Sequence, residues 1–285
     1  MTAPLEKVAG GFSFAEGPRW HAGAVYFSHI HDDAIERVDP DGTTSRVADL
    51  PGSPISMSFT DDECILVSAL SAGALWAIDA EGRVSEYRDL TPLSPHNFGD
   101  LVIDEVGRIY LANQGFDYTQ GLPDTVDSPI FLLAPDGVTR EVGRGFNYAN
   151  GLAITPDGQS LIVAESFGHR LIVVDIDDDG SLGARRVLAQ FGERSRPDGI
   201  CCDADGAVWS ANATGCEVVR CTLDGEITDR LSTDNAMAIG CILGGDDGRD
   251  LFVTTATTAN REVARQTRES ALWRTRVDVP AGGRP

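Results

Sequence analysis

Short apolar runs of about five residues recur along the chain, each bounded by turn-forming residues. Six of them are rich in β-branched and aromatic residues: 24–28, 64–68, 108–112, 160–164, 207–211 and 250–254. Runs of this length and composition are typical of β-strands. No segment shows a sustained 3.6-residue apolar period flanked by helix caps, so the pattern indicates an all-β chain rather than an α/β fold.

Turn signals separate these runs in two interleaved series. The first is centred near residues 22, 61, 105, 156, 204 and 246, and the second follows at 39–42, 79–82, 134–137, 177–180 and 223–225. A unit of strand, turn, strand, strand and turn that recurs at this spacing is typical of propeller blades and not of a sandwich. We therefore predict an all-β fold, a six-bladed β-propeller.

A closed ring of blades needs its two ends joined. The last strand-like run covers 271–277, and the N-terminal run 5–9 is predicted to supply the missing outer strand of the last blade, which would hide a sheet edge. We expect one domain over residues 1–285 with a core of about 5–278. The final 280–283 stretch is expected to be a loose tail.

Two segments interrupt the repeat. The polar, Gly- and Pro-containing stretch 114–127 is predicted to be a loop over one face, and loops of this length in compact domains are often functional. The charged stretch 257–270 is either a solvated connector, which we favour, or a mobile excursion or short helix.

The charge balance narrows the choice of partner. With 23 Lys and Arg against 44 Asp and Glu, the net charge is −21, which argues against nucleic acid or an anionic membrane. The six cysteines form no CxxC motif and are expected to be reduced core residues. No apolar run is long enough to span a bilayer and no secretory signal precedes the repeat. We expect a soluble, cytoplasmic monomer or dimer that binds a small molecule.

Three polar residues occupy the same place in different repeats. Glu16, Asn150 and Asp198 each lie beside Gly just before the first strand of a blade, where equivalent positions converge on the central axis. Two carboxylates and an amide oxygen suit Ca2+ or Mg2+ and, less selectively, Mn2+ or Zn2+. Each residue alone is ordinary turn chemistry. Their shared register favours a metal site, with Asp198 as a general base toward water.

The motifs around these residues resemble those of a known family. The stretches 14–20, 150–158 and 197–206 look like the three signature loops of the senescence marker protein (regucalcin), gluconolactonase and luciferin-regenerating enzyme family. The resemblance covers about residues 5–278. It implies a six-bladed propeller and one catalytic divalent cation, with Ca2+ as the expected ion, held by Glu16, Asn150 and Asp198. It also implies hydrolysis of lactones, commonly sugar lactones, with Asp198 as the base.

One departure from the family concerns substrate binding. Relatives commonly carry Asn-Asp before the third-blade strand, with an Arg two residues earlier, whereas here Gly99 replaces the Asn and Asn97 the Arg. Loss of the guanidinium fork makes an ordinary aldonolactone a less expected substrate. The predicted substrate-binding residues are those around this motif together with one histidine of the first blade: His96, Asn97, Gly99, Asp100, Asn113 and His29.

The histidines allow more than one interpretation. His29 and His31 resemble the start of a binuclear hydrolase motif, but the final histidine of that motif is missing. His29 and His169 are each a candidate for the substrate pocket, or else a histidine whose hydrogen bonds are satisfied within the fold.

The favoured function is a metal-dependent lactonase or esterase. The other hypotheses are a non-catalytic propeller that binds Ca2+ or a metabolite, and a hydrolase of a non-lactone such as an organophosphate.

Overall fold

The computed structural model describes residues 4–71, 73–117 and 123–284. Six four-stranded antiparallel sheets form the blades of a β-propeller, so the predicted fold class is confirmed. The first three blades comprise β2 (Ala15–His21), β3 (Ala24–His29), β4 (Ala34–Val38) and β5 (Thr44–Asp49); β6 (Pro54–Phe59), β7 (Ile65–Ala69), β8 (Ala74–Ile78) and β9 (Val84–Asp89); and β10 (Phe98–Ile103), β11 (Ile109–Asn113), β12 (Ser128–Leu133) and β13 (Thr139–Phe146).

The other three blades repeat this order from the axis outward. They comprise β14 (Ala149–Ile154), β15 (Ser160–Glu165), β16 (Arg170–Ile176) and β17 (Leu182–Gln190); β18 (Pro197–Cys202), β19 (Val208–Asn212), β20 (Glu217–Cys221) and β21 (Ile227–Ser232); and β22 (Met237–Gly244), β23 (Asp250–Ala256) and β24 (Ser270–Arg276) with β1 (Glu6–Phe12). A 3-10 turn, Ile30–Asp32, and one helix, α1 (Arg261–Thr267), complete the described elements.

The ring closes as predicted, because β1 pairs antiparallel with β24 and becomes the outer strand of the sixth blade. Glu6 lies opposite Arg274 and Phe12 opposite Ser270. The edge of β24 is therefore hydrogen-bonded rather than exposed.

The core lies between the blades, which explains the alternation of fully apolar and mixed runs. Strands near the axis, such as β11 and β19, are buried along their whole length, whereas the outer β9 is mostly exposed. Trp209 and Tyr110 are among the largest fully buried side chains. All six cysteines are free thiols, four of them buried, as expected for reduced core residues.

Asp and Gly residues form the predicted turns. In the turn after β8, an Oδ1 of Asp79 accepts hydrogen bonds from the N–H groups of Glu81 and Arg83. Gly82 has a φ of +76°, which favours glycine. Asp203 makes the same pair of bonds in the turn after β18.

The favoured interpretation of 257–270 as a solvated connector was wrong, because residues 261–267 form α1. Asn260 caps the helix by accepting a hydrogen bond from the Val263 N–H. Arg261 contacts Asp33 at 2.6 Å and Arg268 contacts Asp32 at 3.0 Å. Of the predicted loop 114–127, residues 118–122 lie outside the described residues. Within the described part of the chain, no helix is long and apolar enough to cross a membrane.

The expectation of a loose C-terminal tail was also wrong. The segment 280–284 makes five backbone hydrogen bonds to other parts of the chain. Arg284 pairs with Ile154 at the end of β14, and Gly282 donates to the carbonyl of Cys202 at the end of β18. The tail thus holds together the ends of two inner strands.

Candidate metal and substrate site

The innermost strand of every blade has a register shift near its start, and this irregularity sets the site. The residues at the shift correspond from blade to blade, in the order Glu16, Ile55, Gly99, Asn150, Asp198 and Ile239. The three predicted metal ligands therefore occupy one level of the ring. Two isoleucines and a glycine complete it.

Glycines after these residues let neighbouring inner strands approach closely. A Cβ on Gly151 would overlap the backbone oxygen of Asp198, and one on Gly199 would lie 2.8 Å from the Cα of Gly240. The Asn-Gly and Asp-Gly pairs seen in the sequence therefore have a packing cause. The glycine is needed for the approach, and the preceding residue is placed at the axis.

Glu16 and Asp198 form an acidic pair in which Glu16 is buried and Asp198 is half-buried. Burial raises the pKa of the Glu16 carboxyl well above its usual range, and the nearby Asp198 carboxylate raises it further. Burial likewise raises the pKa of Asp198 to about 8, against a lowering by Asn150. Because both groups resist ionisation without a positive neighbour, the pair is suited to hold a cation.

The amide of Asn150 is oriented by a serine of the same blade. Ser166 Oγ accepts from Asn150 Nδ2 at 3.1 Å and donates to the Pro197 carbonyl at 2.7 Å. The amide nitrogen thus bonds both Ser166 and Asp198, and among the described residues no donor is seen at Oδ1. Asn150 can therefore present an oxygen to a ligand, and Ser166 ties it to the strand that carries Asp198.

Asp100 lies one residue deeper along the channel than the ring and braces four blades. Its Oδ1 accepts from Arg19 Nη2 at 2.7 Å and from Ser56 Oγ, and its Oδ2 accepts from the Leu152 N–H at 2.7 Å. Arg19 is thus paired with Asp100, and its charge lowers the pKa of Glu16 by less than burial and Asp198 raise it. These contacts give Asp100 a structural role, and its direct contact with substrate stays a prediction.

A small cavity of about 10 Å³ lies on the axis, lined by residues that include Glu16, Asn150, Asp100 and Arg19. This volume is about that of one water or ion. Within the described residues no group of three His, Cys, Asp or Glu side chains is arranged for a metal. The donors at hand are two carboxylates and an amide oxygen, a hard oxygen set that fits a divalent cation with coordination positions left for water or substrate.

The other residues predicted to bind substrate are spread around the third blade. Gly99 is buried in the ring, and a Cβ there would meet nothing closer than 3.8 Å. Asn113 is fully buried and donates to the His96 carbonyl at 3.0 Å, so it shapes the loop before β10. His96 and Asn97 are half-buried in that loop, and the Asn97 carbonyl accepts from the Gln114 N–H. Their contact with substrate stays a prediction.

The structure does not bring His29 to the metal ligands. Its ring is 2% exposed, and Nε2 lies 2.9 Å from the Ser13 N–H nitrogen while Nδ1 faces Glu36 at 3.4 Å. These are the contacts of a satisfied structural histidine. His169 Nδ1 lies 2.9 Å from the Ser195 carbonyl oxygen, in the loop region beside the fifth blade.

Two hydrophobic clusters at the channel mouth were not predicted from the sequence. On one side an apolar cluster joins Phe14, Ile30 and Ile239, with Ile55 and Met237 packed against it. On the other side lies an aromatic cluster of Phe116, Tyr148 and Phe167, with ring centroids 4.9 to 5.9 Å apart. Phe14 and Tyr148 stand two residues before Glu16 and Asn150, a periodicity that could have identified them.

Gln114 was also missed, although it borders the position where relatives commonly have an Asn. Its side chain is 1% exposed, its Cγ would lie 3.8 Å from a Cβ on Gly99, and its Oε1 has no hydrogen-bond partner in the described structure. Nε2 lies 3.5 Å from the Tyr148 hydroxyl. Gln114 thus puts an amide beside the gap at Gly99.

Comparison with known proteins gives the family. The pattern of the SMP-30/Gluconolactonase/LRE-like region matches residues 14–257 of this chain. The chain belongs to this family. Among its relatives, a 6-deoxy-6-sulfogluconolactonase of Pseudomonas putida is 28% identical over 272 residues, which cover 92% of this chain and 89% of the relative. The pentonolactonase XacC of Haloferax volcanii is 27% identical over 280 residues, 95% of this chain and 92% of the relative.

A solved structure of luciferin-regenerating enzyme has the same fold as this family member. Its TM-score is 0.84 at 19% identity, with 99% of this chain and 98% of that chain covered. The match extends over the full ring of blades.

Proposed function

We propose that this chain is a divalent-metal-dependent hydrolase of a lactone or a related ester. The observation that carries the proposal is the acidic pair Glu16 and Asp198, set beside the amide of Asn150 with Arg19 paired to Asp100. Similarity to relatives named as lactonases supports the choice of a lactone as substrate.

Glu16, Asn150 and Asp198 would hold the cation. Ca2+ is the expected ion because all three donors are hard oxygens and no histidine belongs to the set. A bound divalent cation would supply Lewis-acid polarisation of the lactone carbonyl and would favour the ionised form of the carboxyls.

Asp198 serves as the general base. Its carboxylate accepts a proton from the attacking water as the new carbon–oxygen bond forms at the carbonyl carbon. The ring ester bond then breaks, and the alkoxide that leaves takes up the proton, so one water is consumed and a hydroxy acid is released. Asn150 hydrogen-bonds the Asp198 carboxyl and holds it beside the substrate carbonyl.

A panel of sugar lactones assayed with and without a chelator tests this function. We expect turnover that a chelator abolishes and added Ca2+ restores, with Asp198→Asn lowering kcat by about 100-fold or more. Asp224→Asn, which changes an exposed turn carboxylate, is the matched control and should leave kcat unchanged. Turnover that survives the chelator, or full activity in Asp198→Ala, would contradict the proposal. Tight metal binding without turnover of lactones, esters or phosphotriesters would favour a non-catalytic binding protein instead.

A further inference from the structure

Arg196 lies at the channel mouth, on the same strand edge as Asp198. It stands two residues before Asp198, and its carbonyl accepts from the Ala213 N–H, so the ladder of the fifth blade continues through it. Its guanidinium carbon lies 5.1 Å from the centroid of the Phe167 ring in the fourth blade. Arg196 therefore contacts the fourth blade just ahead of the strand that carries Asp198.

The two residues belong to consecutive levels of the mouth. At the inner level Asp198 faces Asn150, whose amide nitrogen bonds Ser166. At the outer level Arg196 packs on Phe167, the residue after Ser166, and Phe167 packs on Tyr148 with ring centroids 4.9 Å apart. Arg196 therefore stands directly outside the proposed catalytic level.

Arg196 has no carboxylate partner among the described residues, although the chain contains 44 acidic side chains. Arg19 near the axis is paired with Asp100, and Arg220 of the fifth blade is paired with Asp203, whereas Arg88 and Arg185, within the described chain, bond only backbone carbonyls of a neighbouring blade. A half-buried guanidinium that is supported by a ring face keeps its in-plane N–H donors available for a planar anion. In a molecule of net charge −21, such a group also counters the general repulsion of an anionic substrate.

We propose that Arg196 binds an anionic group of the substrate, so that the site is built for acidic lactones such as those that carry a carboxylate. This proposal rests on the proposed lactonase function. Arg196 would hold the anionic end of the molecule at the mouth while the lactone carbonyl reaches the level of Glu16, Asn150 and Asp198. The guanidinium would thereby replace, from the fifth blade, the recognition group that Asn97 does not provide in the third.

Two lactones that differ in one group test this assignment. D-Glucono-1,4-lactone ends in a neutral hydroxymethyl group, whereas D-glucaro-1,4-lactone carries a carboxylate at that carbon on the same ring. With Ca2+-loaded protein, we expect a higher kcat/KM for the glucarolactone. Arg196→Gln should lower kcat/KM for the glucarolactone by about 10- to 100-fold, mainly through KM, and should change that for the neutral lactone by less than about threefold.

Two further variants separate the anion contact from charge in general. Arg196→Lys keeps the charge but loses the planar fork, and should give an intermediate loss. Arg186→Gln removes an exposed positive charge from the outer strand of the fourth blade and should leave both lactones unaffected. Higher salt should reduce the advantage of the glucarolactone over the neutral lactone in the wild type, whereas in Arg196→Gln it should only screen the repulsion by the net charge and raise kcat/KM for the glucarolactone.

The outcomes distinguish this proposal from the function on which it rests. An equal loss for both lactones in Arg196→Gln, or a wild-type preference for the neutral lactone, would overturn the anion assignment while leaving the lactonase intact. If neither lactone is hydrolysed, the proposed function fails, and calorimetry with glucarate and gluconate then decides. Weaker glucarate binding in Arg196→Gln supports the anion site, and equal binding of glucarate by both proteins rejects it.

Discussion

Burial of two carboxyls at one place makes the metal-free protein sensitive to pH. The folded pKa of Asp198, about 8, lies above its ordinary value of 3.8, and that of Glu16 is also raised. The native state therefore binds more protons than the unfolded state between about pH 4 and pH 8, and its stability falls as the pH rises through that window.

The prediction is that denaturant unfolding in chelator shows a lower free energy of unfolding at pH 8 than at pH 5. Asp198→Asn, which has no carboxyl to ionise, should show a smaller decrease over the same range. Added Ca2+ should stabilise the wild type more at pH 8 than at pH 5, because the ionised carboxyls bind it. If the free energy of unfolding of the metal-free wild type falls between pH 5 and pH 8 by only as much as that of Asp198→Asn, the raised pKa of Asp198 is contradicted.

Ser166 offers a second test at the residue scale. Ser166→Ala removes the acceptor of Asn150 Nδ2 and the donor to the Pro197 carbonyl. Because the partners that orient a ligand typically contribute 10- to 100-fold to metal affinity, we expect Ca2+ binding to weaken by about 10-fold in calorimetry. Ser160→Ala, at the other end of β15, is the control and should bind Ca2+ as the wild type does. Unchanged affinity in Ser166→Ala would show that Asn150 needs no such support.

The sequence allowed Glu16, Asn150 and Asp198 to be predicted because each carries its own local mark, a neighbouring Gly or Pro before an apolar strand. Ser166 and Arg196 carry none. Their roles depend on which residues of two adjacent blades face each other, and this register between blades is set by packing far from either residue in the chain. Asp100 shows the same limit, because its partners Arg19 and Ser56 come from two other blades.

At the scale of elements, the glycines of the inner strands have different tolerances. Gly151→Ala would force a Cβ into the backbone of Asp198, whereas Gly99→Ala adds a Cβ with no neighbour closer than 3.8 Å. We expect Gly151→Ala to lower the free energy of unfolding by about 1–3 kcal/mol or more and to impair Ca2+ binding. Gly99→Ala should change stability little. Denaturant unfolding of both variants measures the difference, and equal stability would contradict the close approach of β14 and β18.

Elements whose stability is local were predictable and those held by distant partners were not. The Asp-Gly turns are stabilised by hydrogen bonds within the turn itself, so their spacing along the sequence was enough to predict the blades. Helix α1 has seven residues and few apolar ones, and its arginines pair with Asp32 and Asp33 near the start of the chain. A periodicity search cannot detect a helix of this kind, because tertiary ion pairs rather than an apolar face fix it.

At the scale of the whole molecule, the two termini act differently. The N-terminal β1 was predictable because a propeller with an unpaired edge is unfavourable and only one apolar run was left to fill it. The C-terminal tail has few apolar residues and is held by backbone hydrogen bonds, so no pattern of side chains in the sequence predicts its contacts. We propose that residues 1–285 nevertheless unfold as one unit, because the tail joins the fourth, fifth and sixth blades.

Removal of residues 280–285 tests the role of the tail. The truncation deletes five backbone hydrogen bonds, to Ala204, Gly248, Cys202 and, in both directions, Ile154. At about 0.5–1.5 kcal/mol each, their loss should lower the free energy of unfolding by about 2.5–7.5 kcal/mol. Ile154 and Cys202 end the strands that Asn150 and Asp198 begin, so the metal site lies at the opposite end and kcat at low temperature should be retained.

Arg284→Ala is the matched control for this truncation, because it removes an exposed side chain and leaves the backbone pair with Ile154 in place. Its melting temperature should equal that of the wild type, whereas that of the truncated chain should fall by several degrees with the single transition preserved. A truncated chain as stable as the wild type would mean that the tail only rests on the blades. Lost Ca2+ binding in a truncated chain that remains folded would mean instead that the tail fixes the spacing of β14 and β18 along their whole length, including the distance between Asn150 and Asp198.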